Sequence, residues 1–452
     1  MRHVCAGVAR HGTILAVALL FGLLAEATAA IDGVTGASPN PQFTFTARAD
    51  YLSTAEGGSY LFWGYALDGG RAQYPGPTLI LNQGDTVTIT LHNTLDEPVS
   101  LVFPGQTGVV ATGGAPGPLA VEAPVGGSVA YTFTASQPGT YIYQSGSHPE
   151  LQLEMGLFGV IVVRPATSPK QAYNHPDTRF DHEYLFLLTG IDPTVHDYVA
   201  FGVQQLIDNT AHRPVYWLIN GRTAPDDLSP AGAAWLPTQP YNCLPMMHPG
   251  ERLLMRVVNL GREIHPLHHH GNHARIIARD GRMLASTPGS GPDLGTEGFT
   301  ILSIPGQTVD AIFQWTGKDM GWDIYGSSLT DPALAHTCSS VTCPDANNDG
   351  RDDGTGEACY DDTTHEYCPD HDKPIPVLLP EKQDVTFGAW WSGSPYLGQL
   401  GGLPPGEGGL NPFGAFNFMW HSHTEKELTN NNIFPGGMLT ILYILPPNVP
   451  VP

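Results

Sequence analysis

Ile264-His265-Pro266-Leu267-His268-His269-His270-Gly271 decides how this chain is read, together with the later Trp420-His421-Ser422-His423. Successive side chains of an extended strand point to opposite faces, so His268 and His270 project to one side while His269 points to the other. The same alternation aligns His421 with His423. Two neighbouring strands built this way can aim four imidazole nitrogens at one point, a donor set that suits copper, zinc or nickel. A single strand histidine is ordinarily just a hydrogen-bonded ring. Two H-x-H pairs with His265 beside them point instead to a metal site.

The surroundings of these pairs resemble the multicopper oxidases, the family that includes laccases. His265-Pro266-Leu267-His268-His269-His270-Gly271 matches that family's H-P-x-H-x-H-G, and Trp420-His421-Ser422-His423 matches its W-H-C-H except at Ser422. Upstream, Tyr74-Pro75-Gly76-Pro77-Thr78, Gly84-Asp85, Gly139-Thr140-Tyr141-Ile142-Tyr143 and Met155-Gly156-Leu157-Phe158-Gly159 carry the resemblance over most of the chain. It implies an all-β fold of two cupredoxin-like Greek-key β-sandwich domains.

An internal repeat checks the ligands one by one. Gly84-Asp85-Thr86-Val87-Thr88-Ile89-Thr90-Leu91-His92-Asn93 matches Gly250-Glu251-Arg252-Leu253-Leu254-Met255-Arg256-Val257-Val258-Asn259 in its alternating apolar positions. In the same register Val102 and Pro104 lie against His268 and His270. Likewise Gln144 and Gly146 lie against His421 and His423, and at that offset Gly159 meets Gly436.

The resemblance implies a trinuclear copper cluster held by eight histidines, four from the first domain and four from the last. By the repeat, this chain keeps the last four and lacks the first four. His265 matches one ligand of the family's mononuclear type 1 copper, but the cysteine position is Ser422 and the next histidine position is Glu427. A blue-copper centre depends on the cysteine thiolate, so four-copper oxidase activity is not expected of an isolated chain. What remains is a metal site of His268, His270, His421 and His423, with copper first in affinity order and zinc behind it. His148, Glu150 and Glu154 are candidates to complete its coordination. The chain is expected to be a metal-binding oxidoreductase of this family, or a metal-stabilised structural or interaction protein that kept the fold and lost catalysis. A third reading has a homo-oligomer complete a multinuclear site between subunits.

Composition agrees with an all-β reading. The 452 residues include Gly 53 and Pro 41, and short alternating runs such as Gln42 to Ala47, Thr86 to Leu91, Val129 to Thr134 and Leu253 to Val258 read as strands. No sustained helical periodicity stands out after the N-terminus. The expected organisation is a signal peptide over 1–30, a first sandwich over 41–165, a linker over 166–179 and a second sandwich over 180–447. The second is enlarged by insertions, among them a Cys/Asp-rich segment at 335–373. A further small sandwich hidden in the second unit is the architectural alternative.

Arg2 and Arg10, the apolar run from Ile14 to Leu24 and Ala27-Thr28-Ala29 have the form of a cleavable export signal, so the protein is expected in the periplasm, outside the cell or at its surface. No stable membrane span is expected. A formal net charge of -23 makes nucleic acid an improbable partner.

Cys338, Cys343, Cys359 and Cys368 cluster in a chain expected to meet an oxidising compartment. Two local disulfides are expected there, with three possible pairings. Their spacing fits zinc modules poorly, and Cys243 is left over. Between them, Asp345, Asn347, Asp349 and Asp353 resemble the start of an EF-hand or thrombospondin-type calcium loop, with Gly350 at the turn. The glutamate expected at the loop's end is displaced, since Gly356 stands there and Glu357 follows.

Overall fold

The computed structural model describes residues 31–318, 320–330, 332–339, 342–343, 357–358, 360–361, 363–364, 366–374, 416–445 and 449–451. The export signal, the calcium-type loop with Asp345, Asn347, Asp349 and Asp353, Cys359, and the Gly/Pro-rich stretch from Ser392 to Gly414 lie outside the described residues.

Alternation drives the first pair of sheets. In β1 (Gln42–Ser53) Phe43, Phe45 and Ala47 turn inward. With β2 (Ser59–Leu67), β3 (Leu79–Asn82) and β4 (Thr86–Asn93), the chain reaches a strand whose Val87, Ile89 and Leu91 are fully buried. Next come β5 (Ser128–Thr134), β6 (Gly139–Gln144) and β7 (Phe158–Arg164). One sheet runs β2-β1-β4-β5, with β1 parallel and β5 antiparallel to β4. The other runs β3-β7-β6, and Leu79, Leu81, Ile161, Val163 and Tyr143 from it meet the first sheet in one core. Period-two burial against a facing sheet is what a β-sandwich requires.

The second pair repeats this order. Its strands are β8 (His182–Ile191), β9 (Tyr216–Ile219), β10 (Met246–Met247), β11 (Arg252–Asn259), β12 (His265–His269), β13 (Ala274–Arg279), β14 (Thr300–Ser303), β15 (Thr308–Gln314), β16 (Phe416–Ser422) and β17 (Leu439–Ile444). One sheet runs β9-β8-β11-β15-β13 and the other β10-β17-β16-β12-β14. Here β8 is parallel and β15 antiparallel to β11, as β1 and β5 are to β4. The fold is therefore all-β and cupredoxin-like.

The repeat extends to hydrogen bonds. Asn93 Nδ2 donates to the carbonyls of Glu97 and Ala123 while its Oδ1 accepts from the Leu95 amide. Asn259 does the same with Glu263, Ser303 and Gly261. Each asparagine satisfies buried backbone groups where a strand ends, groups that are costly to leave unpaired. Asp85 caps the Asn82 amide as Glu251 caps that of His248.

The two pairs of sheets are packed on one another. Phe158, Val160 and Val162 of β7 share a core with Leu185 and Leu187 of β8 and Tyr216 and Leu218 of β9. Beside it lies a buried charge network. Arg256 donates to Glu183 at 2.9 Å and to Thr140 Oγ1 at 2.9 Å, Arg164 pairs with the same glutamate, and Thr140 donates to Asp310 at 2.6 Å. Thr140 and Arg164 come from the first pair of sheets, the rest from the second.

Three details differ from the sequence reading. Gly159 pairs with Tyr143, but Trp420 pairs with Thr440. Thr440, not Gly436, is thus the counterpart of Gly159, because the connection from β16 to β17, with its helical turn Glu425–Leu428, is longer than that from β6 to β7. A helix, Pro193–Ala200, also stands where no helical periodicity was read; Asp192 caps it by accepting from the Thr194 amide, and Pro193 opens its first turn. The stretch 166–179 is not a bare tether: Tyr173 is buried and its hydroxyl donates to Asp310 at 2.6 Å.

Candidate metal centre

Strands β12 and β16 are antiparallel neighbours in a register that sets His268 opposite His421, Leu267 opposite Ser422 and His269 opposite Trp420. Directly opposed residues project to one face of the sheet. His268 and His421 therefore meet, and His270, one residue beyond β12, joins them. Ligand nitrogens of His268, His270 and His421 all lie within 4.8 Å of one another. Gly271 then turns the chain at φ +107, where a Cβ would press on the rings of Phe418 and Phe313.

The rings are oriented from outside. His268 Nδ1 is 2.8 Å from Thr300 Oγ1, and His421 Nδ1 is 2.8 Å from its neighbour's carbonyl, that of Ser422. Fixing one ring nitrogen leaves the other aimed inward, which is how metal-binding histidines are held. His270 Nε2 and His421 Nε2 face each other at 3.3 Å, a separation typical of two ligands on one ion. Burial first, and then the neighbouring imidazoles, push His268 and His421 down to about 4. Both are neutral near pH 7, the form that ligates. The donor set fits a borderline or soft divalent ion, with copper ahead of zinc.

His423 stands at the rim, exposed, its ring 4.9 Å from that of His268 and its Nδ1 3.1 Å from Glu425, outside the group of three. His269 turns to the core as alternation requires; its Nε2 lies 3.0 Å from the Gly298 carbonyl and its ring packs on Phe313 and Trp420. Burial and nearby histidines hold it down to about 3.

At the position implied for a type 1 copper, His265 is fully buried and its Nδ1 is 2.9 Å from Glu427. Ser422 is buried and accepts the Thr424 amide. A carboxylate and a hydroxyl occupy the places of an imidazole and a thiolate, so this donor set does not fit a blue-copper ion. Cys243 does not replace the missing thiolate: it is buried against the Leu185 carbonyl, and burial drives its thiol up.

In the first pair of sheets, Val102 and Gln144 bridge each other where His268 and His421 do in the second, and neither offers a nitrogen ligand suited to copper. Glu154 is committed elsewhere, to the Asp192 amide at 2.8 Å, His212 at 3.1 Å and Arg262 at 3.4 Å. His148 lies 3.5 Å from Glu97. Neither belongs to the group of three nitrogens.

Of the clustered cysteines, Cys338 and Cys368 are joined, a bridge spanning 30 residues. Cys343 falls in a two-residue strand, Thr342–Cys343.

Two further groups of ligand type come together that the sequence did not reveal. His182, His248 and Glu251 form one, with His182 Nε2 at 2.7 Å from Glu251, the His248 amide donating to the same carboxylate and His248 Nε2 at 2.8 Å from the Val449 carbonyl. Its hydrogen bonds account for it as a strut. Asp323, His336, Glu366 and His371 form the other. Their sequence separations follow no local motif, so no pattern could have joined them.

The family described as multicopper oxidase matches residues 69–168. An iron transport multicopper oxidase, fetC of Epichloe festucae (strain E2368), is 30% identical over 215 residues, 47% of this chain and 31% of that protein. Laccase-1 of Cryptococcus neoformans var. neoformans serotype D (strain B-3501A) is 38% identical over 101 residues, 22% of this chain and 16% of that one. Copper resistance protein A of Pseudomonas syringae pv. tomato is 32% identical over 124 residues, 27% and 18%. The chain thus spans at most 31% of the length of these three relatives. Among solved structures, the multicopper oxidase mgLAC aligns with a TM-score of 0.53 at 17% identity, over 91% of this chain and 88% of its own. A blue copper oxidase from Nitrosomonas europaea aligns with a TM-score of 0.52 at 15% identity, over 89% and 85%.

Proposed function

The chain belongs to the multicopper oxidase and cupredoxin superfamily, and from that premise we propose that it is an exported copper protein with a single surviving histidine site, His268, His270 and His421, and His423 at its rim. The observation that carries this reading is the convergence of three imidazole nitrogens within 4.8 Å, with Thr300 and the Ser422 carbonyl orienting two of the rings. The assigned units are a first sandwich over 41–165 and a second over 180–447.

Copper held there would supply one-electron redox chemistry. The protein's part is to keep the imidazoles neutral, to fix their rings from behind and to leave one side toward solvent, where His423 and Phe299 stand. Four-copper reduction of dioxygen is not assigned, because Val102 and Gln144 occupy the matching first-unit positions and Ser422 and Glu427 replace a thiolate and an imidazole. Those same replacements favour a second reading, a scaffold stabilised by its metal and free of turnover.

Replacing His268 and His421 together by alanine tests the site: copper per chain should fall by one equivalent, and unchanged stoichiometry contradicts it. Oxygen consumption with phenolic or metal-ion donors, lost in the same double variant, separates the oxidoreductase from the scaffold.

A further inference from the structure

Residues Asp323, His336, Glu366 and His371 place two imidazole nitrogens and two carboxylate oxygens within 4.8 Å of one another, apart from the β12 and β16 histidines. Asp323 and Glu366 are 2% and 1% exposed. Taking two carboxylates out of water is costly unless positive charge compensates them. Among the described residues, the side chains ion-paired with them are His336 and His371.

The geometry is a crossed one. His336 Nε2 stands 3.0 Å from Glu366 and 3.4 Å from Asp323, and His371 Nδ1 stands 2.8 Å from Glu366 and 3.5 Å from Asp323. Each nitrogen faces both carboxylates, so the four donors surround a common point. The donors are also braced from behind. His336 Nδ1 is 2.7 Å from the Leu334 carbonyl, which leaves Nε2 for the centre. Asp323 accepts the amides of Tyr325 at 2.9 Å and Asp372 at 2.7 Å. The Cys338–Cys368 bridge lies two residues beyond both His336 and Glu366 and ties their segments together. Both imidazoles keep partial exposure, 20% and 26%, which leaves an entry path.

We propose that these four side chains are a second metal site, taking a divalent ion of the zinc class and clamping the Cys-rich insertion to the segment that follows β15. Zinc accepts imidazole nitrogen and carboxylate oxygen in four-coordinate structural sites, whereas calcium and magnesium prefer oxygen alone. Four protein ligands close the site, so its role is structural.

The test uses the full chain carrying His268→Ala and His421→Ala, which silences the β12 and β16 cluster. This chain is stripped of metal with a chelator, checked for a parental far-ultraviolet spectrum and titrated with Zn2+ alone. The expected result is one tightly bound zinc per chain, lost on adding His336→Ala with His371→Ala. Glu366→Gln, which preserves side-chain size, should weaken zinc binding by ~10-fold or more and covers the case in which the four-histidine variant does not fold. A correctly folded His268→Ala/His421→Ala chain that takes up no zinc overturns the proposal, as does a zinc equivalent that survives both the histidine and the Glu366 changes.

Discussion

His268 and His421 oppose each other across antiparallel strands as Val102 and Gln144 do in the first half of the chain. One backbone arrangement, built twice, sets two imidazoles against each other in one copy and an apolar side chain against an amide in the other.

His269 and His421 sit on facing strands but serve opposite faces of the sheet. His269→Ala should destabilise the fold by about 1–3 kcal/mol, the usual cost of emptying a hydrogen-bonded core position, and leave copper per chain unchanged. His421→Ala should do the reverse, losing one copper equivalent per chain with little loss of thermal stability in the metal-free protein. Metal analysis beside thermal melts of both variants checks this.

Ser422 and Glu427 flank the buried His265 where a blue-copper site needs a thiolate and an imidazole. The unmodified protein should show no thiolate-to-copper absorption in the visible. Ser422→Cys combined with Glu427→His should gain it on copper loading. A colourless double variant that binds copper only at His268, His270 and His421 shows that the backbone there cannot hold such a centre.

Arg256 is fully buried with Glu183, Asp310 and Thr140 around it. Removing one partner of a buried pair leaves the other uncompensated, so Arg256→Met should cost about 3–5 kcal/mol, read as a shift in the urea midpoint. A loss under about 1 kcal/mol, the scale of a surface pair, contradicts the network's role.

Acid lability follows from the same network. Burial by itself would raise the Glu183 carboxyl, but Arg256 and Arg164 outweigh it and hold the group below its ordinary value. Glu154 is also lowered, His212 and His196 outweighing burial there. A carboxyl depressed in the folded state contributes stability that is present above its unfolded value near 4.5 and is lost as pH falls through the folded value. Urea midpoints of the metal-free protein should therefore begin to fall below about pH 6.5, where His268, His269 and His421 gain protons only on unfolding, and an acid limb below pH 4.5 should add the loss from the carboxylates. Glu183→Gln should flatten that acid limb, and an unchanged limb rules this carboxylate out as its source.

The Cys338–Cys368 bridge closes a loop of 30 residues in the insertion. Loop-closure entropy assigns it roughly 3.5 kcal/mol. Cys338→Ser with Cys368→Ser should loosen the segments the bridge joins first, seen as faster amide exchange at 332–339 and 366–374, while β12 and β16 keep their protection. Uniform loss of protection across the chain is the contrary outcome.

Much of the fold was legible because strand periodicity and the two asparagine caps repeat in register from Gly84 to Val102 and from Gly250 to His268. Alternation alone put His268 on one face with His270 and His269 on the opposite face, the one the fold buries. The register failed at Gly436, where extra residues between β16 and β17 shift the pairing to Thr440. His423 was grouped with His421 by alternation, yet it lies past the end of β16, where that rule stops applying, and it turns to Glu425. The Asp323, His336, Glu366 and His371 group was invisible because only the folded insertion brings its members together. Pro193–Ala200 was missed because one short helix is too brief for its periodicity to stand out, although Asp192-Pro193 carried the start signal.

Copper, zinc and calcium per chain, measured on the untagged protein with a copper resonance spectrum of the same sample, decide whether the β12 and β16 histidines hold a metal. The account predicts about one copper per chain with nitrogen hyperfine structure and no thiolate band. No bound copper after loading, or a copper stoichiometry and spectrum unchanged when His268 and His421 are both alanine, contradicts it.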